Sequence, residues 1–128
     1  MFKTGNLYSR KDIYRLLDVP LCQQGGNWAT GYTSYNGEYY IFANINEPGR
    51  TGHNYQNHWE NGFLHWKGKI SSHIGQPTIK NFINGTNNIH IFTRDDNADV
   101  NFVYRGLGKV ASFQDTVPVS IVWKIVPQ

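Results

Sequence analysis

Five histidines, His53, His58, His65, His73 and His90, in a chain of 128 residues are the first groups whose chemistry asks for an account. Imidazoles ligate zinc, but a zinc site draws three or four ligands from a recurring pattern of His, Cys, Asp or Glu. No His-Glu-x-x-His stretch occurs here, and no cysteine accompanies His53 and His58. The His and Asn residues between Gly52 and His58 are only a loose echo of a nuclease motif. Histidines that hydrogen-bond at the surface are the simpler reading, with a small metal nuclease built on His53 and His58 as the alternative. The single cysteine, Cys22, precedes a glycine-rich turn with no base placed beside it, and no serine sits in a Gly-x-Ser-x-Gly elbow. Cys22 is expected as a small buried apolar group. Asp95 and Asp96 fall between two predicted strands, where aspartates serve turns through local backbone hydrogen bonds. Gly25, Gly26, Gly31 and Gly37 lack the Lys-Ser or Lys-Thr and the long helix that a phosphate loop requires. No catalytic residue, metal or cofactor is expected.

What remains is a mixture of rings, cations and amides: Trp28, Tyr32, Arg50, His53, Tyr55, Asn57, Trp59, Trp66, Lys67 and Lys69. Such a mixture suits DNA, because cations neutralise phosphates, rings stack on bases, and Asn or Arg side chains read base edges. Aromatic residues make up 15% of the chain, with Trp 4, Tyr 8 and Phe 7, more than one small core needs. Some rings should then face solvent or a ligand. Phe42, Trp66 and Trp123 lie in strong strands and are assigned to the core; Trp28, Tyr32 and Tyr55 lie on predicted loops and are assigned to contact. The net charge of +3 is compatible with nucleic acid without requiring it. A carbohydrate- or protein-binding β domain would use surface rings as readily.

The elements that must position these groups are short. Ser9 as an N-cap with Asp12 in the first turn, then Ile13, Leu16 and Leu17 on one face up to Pro20, predict a helix over about residues 10 to 17. Residues 28 to 35 and 38 to 45 read as two strands joined by Asn36-Gly37, a strong hairpin signal. Residues 47 to 57 carry Pro48, Gly49 and Gly52 without periodicity and predict a long loop. Residues 59 to 69 resume as strand. Pro77 as a first helical residue, Ile79, Phe82 and Ile83 on one face, and Gly85 as a stop predict a second short helix. Alternation over 89 to 94, 100 to 105 and 117 to 125 predicts three further strands, the last with Val117, Val119, Ile121, Trp123 and Ile125 on one side. The expected fold is mainly β: one antiparallel barrel or pseudobarrel of about seven strands with two short helices, occupying residues 1 to 128 as a single domain.

Length suffices for one hydrophobic core without disulfides. No secretory signal pattern opens the chain, and a lone cysteine points to a reducing cytoplasm. No apolar run approaches the roughly 20 residues a membrane-spanning helix needs, so no membrane partner is expected.

Several separated motifs carry a resemblance that runs over nearly the whole chain: Tyr8-Ser9-Arg10-x-Asp12-Ile13, Gly25-Gly26-Asn27-Trp28-x-Thr30-Gly31-Tyr32, Phe42-Ala43-Asn44, Gly49-Arg50-Thr51-Gly52-His53-x-Tyr55-x-Asn57 and Phe102-x-Tyr104-x-Gly106. Together they resemble a domain attached to bacterial restriction and helicase-type nuclease proteins, for which no function is usually given. The resemblance implies a β-barrel reader of duplex DNA in a restriction or phage-defence system, either SRA-like, flipping a methylated cytosine into a pocket, or similar to the plant-type DNA-binding pseudobarrel, which reads the major groove. It also implies a nuclease or helicase as partner or fused domain. The expected DNA-contacting set is then Arg10, Trp28, Tyr32, Arg50, Thr51, His53, Tyr55, Asn57, Trp59, Lys67 and Lys69. The segment from Gly26 to Tyr32 would supply a ring and hydrogen-bond groups to a flipped base.

Overall fold

The structure, a computed structural model, describes residues 2–45 and 57–126. Eight strands and two helices follow in the order β1 (Leu7–Ser9), α1 (Arg10–Leu17), β2 (Tyr32–Tyr35), β3 (Glu38–Asn44), β4 (His58–Glu60), β5 (Phe63–Lys67), α2 (Pro77–Asn84), β6 (Ile89–Arg94), β7 (Asn101–Gln114) and β8 (Ser120–Val126). Local chemistry explains most of them. Ser9 and Asp12 form a reciprocal capping box at the start of α1, which ends on Asp18 in the left-handed region. Pro77 opens α2 and Gly85, also left-handed, closes it. Asn36-Gly37 joins β2 to β3, and both residues take the positive φ that a tight hairpin turn requires.

Asn61-Gly62 repeats this geometry, so the strand expected over 59 to 69 is instead the β4–β5 hairpin. One further strand expectation shifts for a local reason, and one strand, β1, was not expected. Residues Gly26–Ala29 wind into a short 3-10 turn, and strand begins only at Tyr32. β1 is too short to carry a period and exists because Leu7, Tyr8 and Ser9 pair with Val103, Phe102 and Asn101.

The strands form one sheet in the order β2-β3-β6-β7-β8-β5-β4, with β1 beside the first half of β7. All pairs are antiparallel except β3 with β6, which run parallel in register from Tyr39↔Ile89 to Asn44↔Arg94. This departs from the wholly antiparallel expectation. A parallel pair needs a long crossover, and here the crossover holds the β4–β5 hairpin and α2, so no simple strand–helix–strand rhythm marks it in the sequence. The sheet curls until Tyr32, on strand β2 at one end, meets Trp66 near the other, ring centroids 5.5 Å apart. Phe82 from α2 plugs the interior against Tyr32, Trp66 and Trp123.

There are two cores. Alternation along β3 sends Tyr39, Ile41 and Ala43 into the barrel, where they pack with Leu64, Trp66, Phe82, Ile91 and Trp123. Tyr40 and Phe42 face the other way and pack with Ile13, Val19, Trp28, Phe92, Phe102 and Tyr104 beneath α1. A sheet covered on both faces consumes rings on both, which is where the aromatic surplus goes. Phe42, Trp66 and Trp123 are buried as expected, whereas Trp28 and Tyr32, expected at a contact surface, are 3% and 7% exposed. Cys22, expected to be buried, is exposed.

Candidate nucleic-acid interface

The residues expected to form one DNA-contacting surface separate into three groups. Arg10 and Trp28 belong to the core beneath α1. The Arg10 guanidinium lies over the rings of Phe42 and Phe102, at 4.7 and 5.0 Å, and its Nε donates to the Trp28 carbonyl. The Trp28 indole packs against Tyr14, Tyr40 and Phe42. Both side chains therefore hold the short turn before β2 against the sheet. Tyr32 enters the barrel on the opposite face, so the Trp28–Tyr32 segment does not present its two rings to one ligand.

A second group gathers at the β4–β5 hairpin. Asn57, expected to read a base, is 4% exposed and spent on structure: its Nδ2 donates to the Asn44 carbonyl and its Oδ1 accepts the Lys67 N–H. The Lys69 ammonium lies 4.4 Å from the Tyr32 ring centre, and its backbone N–H donates to the Tyr32 hydroxyl. Half-burial there holds the Lys69 pKa below the ordinary lysine value. Trp59, half-buried at the barrel rim, receives the Arg105 guanidinium 5.3 Å from its ring centre. The third group, Arg50, Thr51, His53 and Tyr55, falls outside the described residues.

Arg105 was not among the expected residues. It is the extra residue of a bulge in β7, where Tyr104 faces Phe92 and Gly106 faces Ile91. The bulge turns its side chain to Trp59, and its Nε donates to Thr93 Oγ1 at 2.9 Å. A glycine inside a strand is the one sequence signal for such a bulge, and Gly106 supplies it.

The outer face of β4, β5, β8 and β7 carries Lys67, Lys109 and Lys124, all exposed. Strand register aligns His58, His65, Val122 and Ser112 across the four strands, and beside them Lys67, Ser120 and Gln114. Lys124 stands directly opposite Lys109, both exposed. Like charges placed face to face on a sheet repel, and nothing among the described residues of these strands neutralises the pair: Glu60, at the far edge, is their one acid. A groove of about 230 Å³ lies along this face, lined by His58, His65, Lys67, Ser112, Gln114 and Val122 among others. Phe113, 44% exposed, is paired with Ile121 and so belongs to the other face of the sheet. Lys109 and Lys124 were not among the expected residues, since alternation marks them only as solvent-facing positions.

A second cavity, about 250 Å³, lies beside the core under α1 and is lined by Phe2, Leu17, Glu38, Tyr40, His90 and Tyr104 among others. His90 Nδ1 meets the Tyr104 hydroxyl at 2.9 Å and Nε2 meets Glu38 Oε1 at 2.9 Å, with Tyr40 stacked on the imidazole. One proton arrangement satisfies every partner: Tyr104 O–H donates to Nδ1 and a neutral imidazole donates Nε2–H to the Glu38 carboxylate. Burial holds His90 below its ordinary value of 6.5 despite the nearby carboxylate, and the His90 hydrogen bond holds Glu38 below its own. With both folded-state values lowered, the unfolded chain binds more protons on acidification, so the stability they contribute is present at neutral pH and is lost as pH falls. Melting temperature should decline from 6.5 downward, before the carboxylates Glu38 and Asp12 titrate below about 4. His90→Gln, which hydrogen-bonds without titrating, should flatten that upper part of the profile; an unchanged profile would show that His90 does not set it.

The curled sheet with its helix-plugged interior is an SRA-like pseudobarrel. The chain belongs to the family described as a domain of unknown function, DUF3427, whose model matches residues 2–124. A comparison with curated protein sequences finds no match. Among solved structures the chain is similar to the SUVH5 SRA domain in complex with methylated CHH DNA, at 17% identity and TM-score 0.58, covering 98% of this chain and 90% of that one. It is likewise similar to SUVH5 SRA bound to fully hydroxymethylated CG DNA, at 15% identity and TM-score 0.58 over the same 98% and 90%. A third match is Arabidopsis thaliana SUVH6 in complex with SAM, at 16% identity and TM-score 0.58, covering 99% of this chain and 26% of that one. Among the described residues no helix is long and apolar enough to cross a membrane.

Proposed function

We propose that this chain is a recognition module for duplex DNA that reads modified cytosine and has no catalytic function of its own. The observation that carries the reading is the likeness of nearly the whole chain to SRA domains named for their complexes with methylated and hydroxymethylated DNA. The lysines of the outer sheet face support it, since phosphate contacts by Lys supply the sequence-independent part of DNA affinity. In SUVH6 the similar region is a minor part of a longer chain, in keeping with a module that works beside other domains. For this family member the proposed partner, fused or separate, is a nuclease or helicase of a restriction or defence system. Base flipping and a cytoplasmic location are part of the same proposal.

The test is titration of matched duplexes carrying unmodified, methylated or hydroxymethylated cytosine, at low and at moderate salt. Micromolar or tighter binding at low salt is expected, with a preference for a modified duplex that persists as salt rises. Equal affinity for all duplexes would leave a general DNA binder, and absence of binding would overturn the reading altogether.

A further inference from the structure

His58 and His65 lie on the outer face described above, and with Glu60 they form the one cluster of metal-ligating side chains among the described residues. We propose that they bind a divalent first-row transition metal, with zinc the ion of reference. The β4–β5 hairpin builds the site. His58 and His65 are directly opposed across the two strands, and Glu60, two residues along β4 from His58, projects from the same face. Their ligand atoms all lie within 4.8 Å of one another. Glu60 Oε2 is 3.6 Å from His58 Nε2 and 3.5 Å from His65 Nε2. Ligands bonded to tetrahedral zinc at about 2.0–2.1 Å stand roughly 3.4 Å apart, so both nitrogen–oxygen separations are already close to those of a loaded site.

The two imidazoles stack with centroids 4.8 Å apart and planes at 12°. Closing on an ion requires these rings to tilt towards each other, a side-chain rotation open to groups that are 44% and 34% exposed. Two imidazoles with one carboxylate select zinc and its neighbours over calcium or magnesium, which prefer all-oxygen shells. Three protein ligands leave a fourth position, and because His58 and His65 both line the groove of the outer face, that position opens towards it.

The experiment uses the whole chain, stripped with a chelator and titrated with zinc alone by calorimetry, then with cobalt(II), whose visible absorption reports tetrahedral coordination by nitrogen and oxygen. One saturable equivalent is expected, with a rise in melting temperature as zinc is added. His58→Ala, His65→Ala and Glu60→Gln should each weaken binding beyond the about 10- to 100-fold that loss of a mere outer-shell partner costs. His73→Ala, at an exposed histidine remote in sequence, should leave the equivalent intact. Melting of the variants without metal checks folding, and loss of the equivalent counts for the site where that melt matches wild type. If a variant melts early, His65→Asn and Glu60→Ala provide the same comparison. No saturable equivalent in the wild type, or an equivalent that survives in His58→Ala/His65→Ala, would overturn the proposal. Neither result depends on DNA binding.

Discussion

Trp28→Ala should remove a large fraction of the stability of the fold. The indole packs against Tyr14, Tyr40 and Phe42 and the residue is 3% exposed. Truncating a buried Trp to Ala costs about 3–5 kcal/mol, against about 5–15 kcal/mol for the stability of a whole domain. The measurement is denaturant unfolding, in which the midpoint should fall with little change in slope. Trp28→Phe, which keeps much of the ring, should lose considerably less. The opposite outcome would be a Trp28→Ala protein that melts like wild type but no longer discriminates among DNA targets. That result would return the ring to the binding surface and remove it from the core.

Charge reversal on the outer face should separate folding from binding. Lys67→Glu, Lys109→Glu and Lys124→Glu together are expected to abolish measurable duplex binding while leaving the melt close to wild type, since all three side chains are exposed. If each contacts one phosphate, neutralising them as Lys→Gln should reduce the slope of log affinity against log salt by about 0.9 per contact, or roughly 2.7 in total. Lys124→Glu alone gives a sharper test. It converts the repulsive Lys109–Lys124 pair into an attractive one, a change worth roughly 0.2–1 kcal/mol on a sheet surface. Stability should therefore rise as DNA affinity falls. A triple Lys→Glu protein that binds duplexes as tightly as wild type would move the DNA surface to another face.

Local punctuation was legible in this sequence wherever one residue's backbone preference sufficed. Ser9 with Asp12 placed α1, Asn36-Gly37 placed the β2–β3 hairpin, and Pro77 with Gly85 bounded α2, because capping and left-handed backbone are properties of a few adjacent residues. Asn61-Gly62 carried the same information and the run from 59 to 69 concealed it, since Trp59, Phe63, Leu64 and Trp66 read as one apolar strand. Alternation likewise identified the buried side of β8, with Val119 just before it and Ile121 and Trp123 within it, whereas Val117, expected on that side, precedes the strand and is 69% exposed.

Which residues share a site was a different matter. By itself the sequence determined a mainly β chain with two short helices, rich in rings and mildly basic. Only the tertiary structure decided that Trp28 and Tyr32, four positions apart, lie on opposite faces of the sheet, because the 3-10 turn between α1 and β2 folds one against α1 and admits the other to the barrel. It also decided that β3 lies parallel to β6, that a bulge brings Arg105 over Trp59, and that Lys109 faces Lys124. Periodicity states which side of its own strand a residue occupies. It carries no term for which strand becomes the neighbour, since pairing across a long crossover is set by how both faces of the sheet are covered at once.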